Sequence, residues 1–176
     1  MARKIIDMHP VSRITIDAVG PLGRRVFLLQ ANQGSEMVTL KIEKEQAHVL
    51  AQGIEQVLDE LAKQFPREIS KVEEPLSSEL MLRDPMEPLF AIGQIGLGYD
   101  ESEDALVLVV QELTTEEEAD NAAVARFWAT RGQMQALSRH VKEVVAQGRP
   151  ICPLCNRPID PDGHFCPKSN GRERMQ

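Results

Sequence analysis

Twice along this chain, apolar residues alternate through short runs and then change to helical spacing. That double change of period restricts the architecture more than any other feature. In the first half, Arg13–Val19 and Arg24–Ala31 flank the turn signal Gly20-Pro21-Leu22-Gly23. After Asn32-Gln33-Gly34, the residues Val38, Leu40 and Ile42 alternate with Thr39, Lys41 and Glu43. Three strands joined by short turns predict a meander. Ala47, Leu50, Ile54, Val57, Leu58 and Leu61 then fall at three- and four-residue steps, which predicts one amphipathic helix over 44–63 that Pro66 stops. A meander cannot bury its apolar face alone, so this helix must pack on it. Gly53 is a flaw in the helix, costing roughly 1 kcal/mol relative to Ala.

The second half follows the same plan. Phe90–Gly98 is a glycine-dotted strand, Tyr99–Asp104 an acidic turn, Ala105–Leu113 a β-rich run, 114–121 a polar loop and Val124–Ala129 a last strand. Met134, Leu137, Val141, Val144 and Val145 form the stripe of a second helix, ended by Gly148 and Pro150. Each final strand enters its helix through a charged residue shortly before a glutamine, and Gln46 and Gln133 stand 87 positions apart (133 − 46). The expected fold is α+β, with a mainly antiparallel sheet from two candidate βββα units, 13–65 and 88–148, in a body spanning 1–148. Residues 1–12 read as a loose or extended arm. Residues 66–88, divided by Pro66, Pro75, Pro85 and Pro88, read as a surface excursion with a short strand around Leu80–Leu82.

Composition bounds what such a body can do. In 176 residues, 42% are hydrophobic but only 4% aromatic, so the core must be aliphatic. The net charge of −7 makes a poor general binder of nucleic acid or anionic membrane. From Asp100 to Asp120 there are nine acidic residues and no Lys or Arg, whereas 149–176 holds five basic residues against three acidic ones. Asp7 interrupts the place where a secretory signal core would run, and nothing approaches 18 uninterrupted apolar residues, so a cytoplasmic protein without a membrane span is expected. Gly93, Gly96 and Gly98 are spaced unlike a dinucleotide fingerprint and precede an acidic turn, not a helix. They read as a bent strand or close sheet contact.

The clearest chemistry lies at the end of the chain. Cys152-Pro153-Leu154-Cys155, eight further residues and then His164-Phe165-Cys166 supply three thiols and an imidazole, and these are all the cysteines present. Cys152, Cys155, His164 and Cys166 are the full ligand set of a closed Cys3His zinc site. Asp160-Pro161-Asp162-Gly163 is a turn signal just before the second pair. Four protein ligands leave no place for water, so the expectation is one structural zinc per chain, in a C-terminal arm over 149–176. Clustered thiols beside a histidine also fit a reducing compartment.

Catalytic signals are sparse. His9 lies in the N-terminal arm, His48 reads as solvent-facing and His140 as a boundary residue of the second helix. Arg126, Arg131, Glu43 and Glu45 flank the strand-to-helix junctions, where a shared polar pocket for an anion or peptide would make an enzyme conceivable. Phe127 and Trp128 are adjacent in a strand and must face opposite ways. The leading functional expectation is a non-catalytic binding or adaptor protein with an unidentified protein partner. The alternatives are an enzyme using that polar pocket and nucleic-acid binding through the basic tail.

Four segments carry a family resemblance: Gly23–Gln30, Glu43–Gln46, Arg126–Arg131, and most distinctively 149–171 with its Cys-Pro-Leu-Cys and Pro-Ile-Asp-Pro-Asp-Gly-His-Phe-Cys-Pro runs. Over nearly its full length the chain resembles a bacterial family known as domain of unknown function 3090. The resemblance implies a cytoplasmic bacterial protein and carries no assigned reaction or catalytic residue.

Overall fold

The computed structural model describes residues 3–21, 23–147 and 154. Its elements in chain order are β1 (Ile5–Met8), β2 (Arg13–Val19), β3 (Val26–Gln33), β4 (Glu36–Ile42), α1 (Lys44–Gln64), β5 (Ile92–Asp100), β6 (Ala105–Glu112), β7 (Val124–Ala129) and α2 (Arg131–Gln147). The class is mixed α+β. The strands form two sheets, β2-β3-β4 and β1-β7-β6-β5. Both meanders are antiparallel. The expected arm over 1–12 is corrected: β1 pairs in parallel with β7, Ile5 opposite Val124 and Met8 opposite Phe127. No local pattern could announce that pairing, because its partner lies more than a hundred residues away.

Alternation decides which face of each strand is buried. Ile14, Ile16, Leu29, Ala31, Leu40 and Ile42 point inward from the three-stranded sheet. Leu106, Leu108, Val110, Ala125, Phe127 and Ala129 do so from the four-stranded one. Ala47, Leu50, Ile54 and Leu61 of α1 and Met134, Leu137, Val141 and Val144 of α2 complete a single cluster. The β3–β4 hairpin is tighter than its sequence suggests. Gln33 pairs with Glu36, so the loop is only Gly34–Ser35, and Gly34 takes φ +60°, which glycine adopts without a Cβ penalty.

The two helices start in the same way. The Glu43 N–H donates to Gln46 Oε1 at 2.9 Å, and the Thr130 N–H donates to Gln133 Oε1 at 2.9 Å. Each glutamine then reaches the other half of the chain. Gln46 Nε2 donates to the carbonyls of Ile92 and Gly93, both at 3.1 Å, and Gln133 Nε2 donates to the carbonyl of Val11 at 3.3 Å. Between the helices, Lys142 pairs with Glu55, again 87 positions apart (142 − 55). At the far end of α2, Arg25 donates to the Val144 carbonyl at 2.6 Å, satisfying one of the oxygens a helix C-terminus leaves open.

The strand expected around Leu80–Leu82 is also corrected. Ser77–Leu80 is a 3-10 turn, and the chain from 79 to 85 is held by side chains instead of a ladder. Arg13, buried at 3% exposure, donates to the Glu79 and Met81 carbonyls, to Asn32 Oδ1 at 2.7 Å and to Gln30 Oε1 at 3.0 Å. Thr15 donates to the Leu80 carbonyl, and Gln30 both donates to the Arg83 carbonyl and accepts the Arg83 N–H. The polar outer face of the three-stranded sheet thus satisfies a proline-punctuated segment that is poorly suited to pairing as a strand.

Candidate functional site

Where α1 passes β5, a groove of about 400 Å³ remains, lined by Glu45, Gln46, Val49, Leu50, Gly53, Gly93, Ile95 and Leu97. One sequence choice opens it. Gly53 gives the helix no side chain, and a Cβ built there meets nothing within 4 Å. Gly93 lines the groove with Ile95 and Leu97 but is glycine for another reason: a Cβ there would stand 3.0 Å from Leu113 Cα, the close sheet contact expected of the β5 glycines. β5 is the edge of its sheet, with β6 on one side only. Just before β5, Lys41 bridges Ala91 in parallel, and the Lys41 N–H donates to the Phe90 carbonyl. Beyond Gly93, no strand flanks the outer edge of β5 among the described residues.

The second helix treats the corresponding place differently. Counting seven from each capping glutamine leads to Gly53 in α1 and to His140 in α2. His140 Nε2 hydrogen-bonds Asp17 Oδ2 at 3.0 Å, so α2 is tied to β2 where α1 stands open above β5. Glu45, at the groove mouth, makes no ion pair or side-chain hydrogen bond among the described residues.

The polar pocket expected from Arg126, Arg131, Glu43 and Glu45 is not assembled. Arg126 gives a two-pronged hydrogen bond to Asp7, at 2.7 Å for each prong, on the outer face of the four-stranded sheet. That bond comes first among the causes that hold the Asp7 carboxyl below the usual range. Arg131 is buried at the start of α2 and donates to Asp104 Oδ1 at 2.9 Å and to the Phe65 carbonyl at 2.8 Å. Glu43 and Glu45 belong to the α1 entrance. Both ion pairs belong to the β7–α2 junction, Arg126 reaching Asp7 across the β1–β7 pairing and Arg131 reaching Asp104 in the acidic turn.

Asp104 organises the second of these pairs. It ends the acidic turn in the left-handed region, φ +52°, which Asp tolerates better than most residues. Its carboxylate accepts the Tyr99 hydroxyl at 2.6 Å, Arg131 Nε and, at 2.6 Å, Arg67 Nε. Burial pushes its pKa up, but the Tyr99, Arg131 and Arg67 donors outweigh this and leave it below the usual value. Arg67 also clasps Glu73, whose pKa is lowered chiefly by that contact. The Glu73 backbone presses on Gly132 in the first turn of α2. A Cβ at Gly132 would stand 2.6 Å from Glu73 Cβ and 2.8 Å from its carbonyl oxygen. Gly132→Ala should therefore displace residues 71–73 and lower stability by about 1–3 kcal/mol. Thermal melting, with crystallography of the variant, checks both effects; an unchanged melting temperature would show that the contact is slack.

On the outer face of the four-stranded sheet, His9 lies flat against Trp128, with ring centroids 4.1 Å apart and planes 5° apart. His9 Nε2 meets Glu103, a partner 94 positions away that no local pattern marks, and Trp128 Nε1 donates to Asp100 Oδ2 at 3.3 Å. Phe127 enters the core while Trp128 faces outward, as strand alternation requires. His48 is half-buried and not solvent-facing, with its Nδ1 unpartnered among the described residues. The zinc ligand set Cys152, Cys155, His164 and Cys166 lies outside the described residues.

The family model described as protein of unknown function (DUF3090) matches residues 7–166. The chain belongs to this family. The match takes in β1 from Asp7 onward, the groove, the acidic turn and all four cysteine and histidine positions of the arm. No curated protein and no solved structure matches the chain. Among the described residues, no helix is long and apolar enough to cross a membrane.

Proposed function

We propose that this DUF3090 protein is a non-catalytic binding protein that takes an extended peptide along β5, and that zinc, held by Cys152, Cys155, His164 and Cys166, folds its C-terminal arm. The observation that carries the reading is a strand edge that no other described strand covers, beside an open helix groove. An added strand would take its main-chain hydrogen bonds from the outer edge of β5 and seat alternate aliphatic side chains against Val49, Leu50, Ile95 and Leu97. Glu45 at the mouth favours a basic residue at one end of the peptide. Gly53 supports the reading because a mid-helix glycine is destabilising, and here its effect is to keep the groove empty. Val49, 56% exposed, offers apolar surface at the rim.

The test is selection from a display library of short random peptides against the full chain, followed by hydrogen exchange on the best binder. Peptides with alternating aliphatic residues should be enriched and should protect the amides of 94–98. Gly53→Leu should weaken their binding at least tenfold while leaving the fold intact. Gly53→Ala, which adds only a methyl group, should raise stability by up to about 1 kcal/mol. Enrichment of no such peptide, or equal binding by Gly53→Leu, would sink the strand-addition reading.

A further inference from the structure

We infer that His9, Asp100 and Glu103 form a second metal site, for a divalent first-row ion of zinc-like preference, on the face of the four-stranded sheet away from the groove. Each residue offers one donor atom, and the three atoms lie within 4.8 Å of one another. They come from two distant parts of the chain. His9 follows β1, while Asp100 ends β5 and Glu103 sits in the turn before β6. The parallel β1–β7 pairing is what brings them together, since it lays His9 over Trp128, one strand across from the β5–β6 turn.

The donors are oriented before any ion arrives. Stacking on the indole fixes the plane of the imidazole, and Nε2 points to the carboxylates. Asp100 is held on both oxygens, Oδ1 by the Ser102 hydroxyl at 2.6 Å and Oδ2 by the Trp128 indole N–H at 3.3 Å. Ligand orientation by neighbouring donors of this kind is what tunes metal affinity in built sites. One imidazole with two carboxylates suits zinc, cobalt or manganese better than the hard calcium and magnesium ions, which prefer all-oxygen shells. Three protein donors leave coordination positions for water or an anionic ligand, unlike the closed set in the arm. His9 and Glu103 are exposed, so the ion has an open path. The competing description is a plain histidine–glutamate ion pair, which binds no metal.

Trp128 supplies the readout, because it is the only tryptophan in the chain and it touches the ligand histidine. A paramagnetic ion bound at His9 should quench its fluorescence. Full-length protein carrying Cys152→Ser and Cys155→Ser, which disables the arm's ligand set, is titrated with Co²⁺. The expected result is saturable quenching at one ion per chain, weakened at least tenfold by Glu103→Gln and by Asp100→Asn, and competed by Zn²⁺ but not by Mg²⁺ at the same concentration. Glu103→Gln leaves the stacked pair in place, so a changed baseline cannot imitate the effect. Quenching that is absent, or equal in the Glu103→Gln and Asp100→Asn chains, overturns the site. Quenching that requires the cysteines assigns the ion to the arm and overturns it as well. Peptide binding in the groove is measured separately and does not depend on either outcome.

Discussion

Replacing Asp104 with Ala should lower the stability of the body by about 2–4 kcal/mol, a fall of roughly 4–16 °C in melting temperature for a chain of this size. Arg131 is 4% exposed at its side chain and would lose its carboxylate partner, while Arg67 and Tyr99 would lose a shared acceptor. Breaking a fully buried pair costs about 3–5 kcal/mol, and the lower range reflects the 31% exposure of the Asp104 side chain. Asp104→Asn should cost less, because it keeps an acceptor and tolerates the left-handed backbone. Acid gives a second check. Asp104 titrates below its ordinary value in the fold, so its charge contributes fully above the ordinary carboxylate range and is lost as pH falls through the lowered folded value. The gap between wild type and Asp104→Asn should stay constant from about pH 7 to pH 5 and close below about pH 4. A gap that is flat across the whole range would mean that the carboxylate's charge is idle.

The elements that periodicity makes legible are those whose burial is settled within one stretch of chain. β2, β4, both helices and the opposite facing of Phe127 and Trp128 follow from alternation or from helical spacing, and β2 and α1 keep their expected bounds to within a residue. β1 and the strap over 79–85 were not legible, for opposite reasons. β1 is only Ile5–Met8, and its stability comes from a parallel partner that no local signal reveals. The strap looks like a broken strand because its prolines and charges are visible, whereas the side chains that hold it, Arg13, Thr15 and Gln30, sit in distant strands as ordinary polar positions. The groove was half legible. Gly53 stands out as a flaw, but only the edge position of β5 and the filled place at His140 make it an opening. The junction residues failed as a pocket because Arg126 and Arg131 lie on different surfaces, a fact of topology and not of composition.

The halves share a meander, a capping glutamine and a reach across to the other half, their helices are paired through Glu55 and Lys142, and the described residues build one core, which we propose stands without the arm. That independence sets the largest expected effect in the molecule. In the proposed arrangement, one Zn²⁺ per chain is bound by Cys152, Cys155, His164 and Cys166. The arm's apolar residues are few, chiefly Ile151, Leu154, Ile159 and Phe165, so metal would supply most of its folding energy, on the order of 10 kcal/mol for sites of this type. Chelation or Cys155→Ser should release hydrogen-exchange protection across 149–168 and leave the main thermal transition of 1–148 within a few degrees of its original place. Ligation needs deprotonated thiols and a neutral imidazole, so occupancy should also fall as the solution is made acid. Metal analysis by mass spectrometry counts the ion, and the Cys155→Ser chain separates it from any ion at His9. A protected arm in protein that contains no metal would remove the zinc assignment. Collapse of the whole body on chelation would show instead that arm and body fold as one unit.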